Sequence, residues 1–182
     1  MVKYLLHLFA LAGLYLASVN LVTADETESY SRLSGLENFQ VNNENMMSSG
    51  QPNQQQFEAL QAIGVTKVID LIPSDRSEES ALLAKLGLTY HNIPVVWENP
   101  RIEDFEHYVA LMQQPDGNDG ITLTHCKLNW RGAVFTYLYR VTQLNESEAI
   151  AKKDLLAVWQ PDEIWQKFIN DVKAKYWTAP LE

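Results

Sequence analysis

At 182 residues, 46% of them hydrophobic, the chain has the length of one ordinary domain and enough apolar side chains to bury a core. A formal net charge of -9 sets its surface against nucleic acid and anionic lipid, so an anion site would be a local pocket working against the global field. A single cysteine, Cys126, excludes an internal disulfide.

Lys3 is followed by an apolar run from Tyr4 to Val22, relieved only by residues such as His7, Ser18 and Asn20, and Val22-Thr23-Ala24 ends it on small residues. This is the pattern of a signal peptide over residues 1–24. The alternative is an uncleaved anchor, since the run approaches the ~20 residues that span a bilayer. Cleavage would remove Lys3, the only charged residue of the leader, take the net charge from -9 to -10, and leave a periplasmic or secreted protein with no membrane attachment. Residues 25–35 are polar and read as a flexible leader, and residues 36–182 as one domain. A lone thiol in an oxidising compartment is either buried and inert or kept for its reactivity.

Helix and strand patterns then alternate. Asn53 is a candidate cap for a helix with Phe57, Leu60 and Ile63 on one face and Gly64 as its stop. Val65 to Ile72 is a β-branched run suited to a buried strand. A helix from about Ser77 to Gly87 precedes a strand over Leu88 to Val96, where Pro94 demands an edge or an end. A third helix places Ile102, Phe105, Val109 and Met112 inward. The PDGNDG cluster is a turn, and ITLT is a strand leading to Cys126. Helical spacing resumes from Gly132 to Leu144 and again over Ser147 to Trp159 and Asp162 to Tyr176, with Pro161 placed as a first-turn proline. The order predicts an α/β fold: a central, mostly parallel sheet flanked by helices, with extra helices at the C-terminal end.

In such sheets ligands bind beyond the carboxyl ends of the strands. His125 and Cys126 stand at such an end, and the CKLNWR loop feeds a helix beginning near Arg131. Backbone N–H groups curling into a helix N-terminus make a donor array that favours thiolate over thiol and attracts an oxyanion. Cys126 would be the nucleophile, and Arg131 would fork onto two oxygens of the bound anion.

The HCKLNWRG loop, between a strand and a helix, resembles the active-site loop of the cysteine-dependent tyrosine and dual-specificity phosphatases. The stretches MMSSGQPNQQQFEALQAIGVTKVIDLI and YHNIPVVWENP are similar to segments of the small bacterial branch of that superfamily, so the likeness spans about Asn38 to Val141. It implies a cysteine phosphatase-like fold and a two-step transfer through a cysteinyl-phosphate, without metal or other cofactor, on a phosphorylated protein or small molecule. Cys126 would attack phosphorus and Arg131 would hold the equatorial oxygens. His125 would orient the loop, and the loop itself, Lys127, Leu128, Asn129, Trp130 and Gly132, would bind substrate. Trp97 would serve as an aromatic wall with Trp130, packing being the competing role for both, whereas Trp159, Trp165 and Trp177 read as packing residues. The resemblance places a general acid after YHNIPVV. Glu98 is the nearest match, a glutamate where the family normally uses aspartate, and Glu103, Asp104, Asp70 and Asp75 are the other carboxylates within range.

The loop departs from the family in three ways. Four residues rather than five separate Cys126 from Arg131, a spacing associated with rhodanese-like sulfurtransferases. No glycine lies inside the loop, so Asn129 is the residue there best able to take a positive φ. Gly132 stands where a Ser or Thr hydroxyl usually assists release of the thiolate. Sulfur transfer through a Cys126 persulfide, or anion binding without turnover, are therefore the alternative functions. His91 and His107 have no second ligand at metal spacing, so a zinc site is not expected. Oligomeric state is not legible.

Overall fold

The computed structural model describes residues 24–115 and 120–177. Apart from Ala24, the expected signal peptide lies outside them, as do residues 116–119 of the PDGNDG turn. Five strands form one sheet: β1 (Gln40–Asn43), β2 (Met46–Ser49), β3 (Val65–Asp70), β4 (Thr89–Asn92) and β5 (Ile121–His125), in the spatial order β1-β2-β5-β3-β4. The pairs β2/β5, β5/β3 and β3/β4 are parallel, and β1/β2 is an antiparallel hairpin. The mostly parallel α/β architecture is as expected.

The hairpin is an addition to the predicted elements. Gln40-Val41-Asn42-Asn43 and Met46-Met47-Ser48-Ser49 are short and poor in β-branched residues, so neither carries strand propensity. All four residues of β2 are nevertheless buried, because β1 and β5 flank it and helices cover both faces of the sheet. The β4 segment is shorter than Leu88 to Val96: the chain leaves the sheet after Asn92, and Pro94 falls outside the ladder, as its missing N–H requires.

On one face lie α1 (Ala24–Arg32), α2 (Gln54–Ala62) and α3 (Ser77–Lys85), over a core that includes Phe57, Leu60, Val68, Leu83 and Leu123. On the other lie α4 (Ile102–Gln113), α5 (Trp130–Thr142), α6 (Glu148–Val158) and α7 (Glu163–Tyr176), around Phe105, Tyr108, Phe135, Trp165 and Phe168. Asn53 caps α2 through a reciprocal capping box with Gln56. The segment expected as a flexible leader is helical over Ala24–Arg32, and Leu33 and Leu36 beyond it are buried beside α2. Pro161 lies one residue ahead of the α7 N-cap, Asp162, rather than in the first turn.

The register of the sheet brings the ends of its strands into one row. Ser49 of β2 and Asp70 of β3 both pair with His125 of β5, and Asn92 of β4 pairs with Asp70. Cys126 is the next residue beyond this row.

Candidate active site

The chain turns sharply after β5, and the four-residue loop is braced from its side by the segments around β1 and β2. The Cys126 N–H donates to Ser49 O at 3.3 Å, and Lys127 O accepts from the Gln51 N–H at 3.3 Å. Leu128 forms a bridge with Gly50 and its carbonyl accepts from Asn38 Nδ2 at 3.0 Å. Gly50 permits this approach: a Cβ there would lie 2.7 Å from Glu37 Cβ and 3.1 Å from Lys127 O. Asn129 takes φ of 64°, the left-handed conformation expected for it. Cys126 is 1% exposed, and Lys127 and Leu128 point outward.

Asn129 is also the N-cap of α5, yet its side chain does not cap the helix. Its Nδ2 donates instead to Asn38 O at 2.8 Å and Ser48 Oγ at 3.1 Å. The first helical bond runs from Ala133 N to Asn129 O at 2.8 Å. Among the described residues, the N–H groups of Trp130, Arg131 and Gly132 have no acceptor. Four residues beyond a buried thiol, the positive end of a 13-residue helix thus presents open donors.

Arg131 Nε donates to Val95 O at 3.0 Å, and its guanidinium carbon lies 5.3 Å from the Trp97 ring centroid. These contacts tie the loop after β4 to the cysteine loop. The two Nη groups of Arg131 have no partner among the described residues, so the fork is available to an anion. Trp97 packs against Trp130, Trp159 and Trp165 at 5.7, 5.2 and 5.0 Å between ring centroids. Trp130 and Trp159 stack at 5.2 Å, and Trp159 Nε1 donates to Trp130 O at 2.9 Å. Trp159, expected only to pack in a terminal helix, therefore supports the loop itself; a helical pattern carries no sign of this. Val96, Leu128 and Trp130 are 47%, 40% and 37% exposed, which gives these two loops an apolar surface.

Of the carboxylates considered as general acid, three have structural partners. Asp104 is buried and binds Arg101, Asp75 accepts from the Ser77 N–H, and Asp70 is buried among donors. Glu103 lies in the first turn of α4. Glu98 is exposed in the turn closed by Asn99 N and Val96 O at 3.2 Å, on the loop that holds Arg131, and makes no bond among the described residues.

Beneath the loop is a charged cluster that no motif announced. His125 is fully buried, with Nε2 at 3.0 Å from Glu79 Oε1 and 3.8 Å from Asp70 Oδ1, but aligned with neither as a hydrogen bond. Arg76 spans the two carboxylates, with Nε at 2.5 Å from Asp70 and Nη2 at 2.5 Å from Glu79. Tyr90 Oη donates to Asp70 at 2.9 Å and Gln51 Nε2 to Glu79 at 3.1 Å. Burial alone would raise the Glu79 pKa, but His125 and Arg76 outweigh it and hold the carboxyl below its ordinary value. Burial and the Asp70 charge push the Tyr90 phenol up. Asp70, Glu79 and His125 offer donor atoms within 4.8 Å of one another, the spacing of a metal site, but the Arg76 guanidinium already bonds both carboxylates. The only sequence trace of the cluster is the acidic and basic run Asp70 to Glu79; its meeting with His125 depends on strand register.

A cavity of about 890 Å³ lies toward the other end of the sheet, lined by residues including Asn45, Lys67, Gln114 and Thr122, away from Cys126.

No protein-family model and no curated protein matches the chain. Solved structures do. A DUF442 protein of Shewanella putrefaciens CN-32, provisionally named a phosphatase, is 36% identical, with 81% of this chain and 99% of that chain covered and a TM-score of 0.70. The core catalytic domain of the PP-IP phosphatase Siw14 from Saccharomyces cerevisiae is 19% identical over 77% of this chain and 91% of its own, with a TM-score of 0.62. TpbA of Pseudomonas aeruginosa is 20% identical over 76% and 88%, with a TM-score of 0.60. The last two likenesses concern the fold.

Proposed function

Because the chain belongs to the DUF442 family, whose fold is that of the cysteine-dependent tyrosine and dual-specificity phosphatases, we propose that it hydrolyses phosphate monoesters through a cysteinyl-phosphate on Cys126. One observation carries this reading: three N–H groups at the start of α5 and the Nη groups of Arg131, without partners among the described residues, follow within six residues of the buried thiol.

In the first step the Cys126 thiolate attacks phosphorus, the S–P bond forms and the P–O bond to the leaving group breaks. The departing oxygen takes a proton from Glu98. In the second step Glu98, now a carboxylate, accepts a proton from water as that water attacks phosphorus; the S–P bond breaks and thiolate and inorganic phosphate are released. The helix N-terminus and Arg131 stabilise the charge that builds on the equatorial oxygens in both steps. His125 touches no substrate and holds the base of the loop.

The exposed Val96, Leu128 and Trp130 favour a substrate whose phosphate is carried on an aromatic or apolar group, with phosphotyrosine the simplest case. TpbA, of the same fold, has been solved with phosphotyrosine bound to its Cys-to-Ser form. With residues 1–24 read as a signal peptide, the mature enzyme would act in the periplasm or outside the cell.

The wild-type protein should turn over p-nitrophenyl phosphate without added metal. Cys126→Ser should abolish turnover, and Arg131→Ala should lower kcat/KM about 10²- to 10³-fold, the loss typical for a donor to developing charge. Absence of wild-type turnover across a broad pH range rejects the proposal. The four-residue spacing between Cys126 and Arg131 favours one rival, sulfur transfer. Cyanide-dependent thiocyanate formation from thiosulfate, with a persulfide mass on Cys126, would establish it instead.

A further inference from the structure

Two of the loop's departures from the family pattern prove to be one steric unit. An ideal Cβ built on Gly132 would lie 2.4 Å from Asn129 Oδ1, while the next nearest atoms, Thr124 O and Asn129 Cγ, are at 3.5 and 3.6 Å. The atom that a Cβ at position 132 would strike is therefore the Asn129 amide oxygen, the other two near atoms lying at ordinary contact distance. That amide cannot swing aside cheaply. Asn129 is fully buried, and its Nδ2 is held by Asn38 O and Ser48 Oγ. Asn38 answers through its own Nδ2, which donates to Leu128 O at 3.0 Å, and it too has a positive φ, 47°. Two asparagines in left-handed backbone thus clamp the loop to the segment ahead of β1, Asn129 donating to the Asn38 carbonyl and Asn38 to that of Leu128.

We infer that Asn129 is the positioning residue of this shortened loop, and that it and Gly132 are interdependent: the asparagine supplies the left-handed turn and the clamp, and the glycine supplies the room its amide requires. A glycine at 129 would make the turn without the amide, and position 132 would then accept a hydroxyl side chain. Asn129 Oδ1 is buried and has no hydrogen-bond partner among the described residues. Being an acceptor, it does not replace the donor function of such a hydroxyl, so the pair serves loop geometry and not thiolate release. The inference rests on the phosphatase reading only for its turnover measurement.

The test is a double-mutant cycle of Gly132→Ser, Asn129→Gly and the two together. It is read by thermal melting, by the pH profile of Cys126 alkylation with iodoacetamide, and by kcat and KM on p-nitrophenyl phosphate. Gly132→Ser alone should lower Tm and slow alkylation at neutral pH about tenfold, a coupling of the size found between contacting residues. Asn129→Gly relieves the clash but gives up the clamp, so the double variant should return to the level of Asn129→Gly alone, better than Gly132→Ser and short of wild type. Recovery of a folded, alkylatable protein by the double variant when Gly132→Ser alone does not fold also supports the inference. Strictly additive losses, a double variant that recovers nothing, or unimpaired tolerance of Gly132→Ser each overturn it. Melting and alkylation need no turnover, so an inactive wild type showing this rescue would sink the phosphatase proposal and leave the positioning role standing.

Discussion

Glu98 differs from the other candidate acids in what it lacks. Asp104, Asp75 and Asp70 have partners in a helix cap, a turn and a buried cluster, whereas Glu98 is solvent-facing on the loop that anchors Arg131 at Val95. If it protonates the leaving group, its removal matters in proportion to the basicity of that group. Glu98→Gln should therefore slow hydrolysis of phenyl phosphate by about 10²- to 10³-fold and that of p-nitrophenyl phosphate, whose phenoxide leaves without help, much less. Equal rates on phenyl phosphate for variant and wild type would move the role to another carboxylate, Glu103 first. At this scale the sequence named Cys126, Arg131, His125 and Glu98, since each lies within one loop or one motif. Arg76 and Glu79 were not named, because side chains that meet through space leave no spacing to read.

At the scale of elements, β3 and α3 deliver a base for the site. The strand ends in Asp70 alongside His125, and Arg76 at the N-cap of α3 and Glu79 in its first turn meet beneath the same histidine. The Glu79 carboxyl is raised by burial and lowered more strongly by His125 and Arg76, so the folded state binds its proton less tightly than the unfolded chain. That stabilisation is complete above the ordinary value of 4.5 and drains away as pH falls through the lowered folded value. Glu79→Gln should cost about 1–3 kcal/mol at neutral pH and flatten the dependence of Tm on pH in the acid range, as measured by thermal melts. Parallel Tm profiles for wild type and variant would show that the cluster stores no such energy.

Across the whole molecule, two apolar layers enclose the sheet, and the tryptophans of the larger layer extend to the reacting loop. Trp165 is buried at the N-terminal end of α7 and packs on Trp97, which in turn lies beside Arg131, so the C-terminal helices are structurally continuous with the site. Against the chain's net negative charge, the attraction that the site offers an anion is local, set by the α5 N-terminus and Arg131. No helix among the described residues is long and apolar enough to cross a membrane. If the leader directs export, protein recovered from the expressing cell should have the mass of the chain without residues 1–24 and an N-terminus at Asp25; an intact Met1 in the extracytoplasmic fraction would indicate an uncleaved anchor.

What the sequence determined by itself was local: the alternation of strand and helix, the position of the thiol at a strand end, the left-handed turn at Asn129 and the arginine that follows it. Backbone preference and apolar periodicity act over a few residues, and they suffice for those features. Tertiary structure decided the rest: the β1/β2 hairpin, whose propensity is weak, the Arg76 and Glu79 support under His125, the Trp159 backing, and the exclusion of any side chain at Gly132 by Asn129. Each of these depends on sheet register or on the volume left by a neighbour, quantities that exist only once the chain has closed on itself.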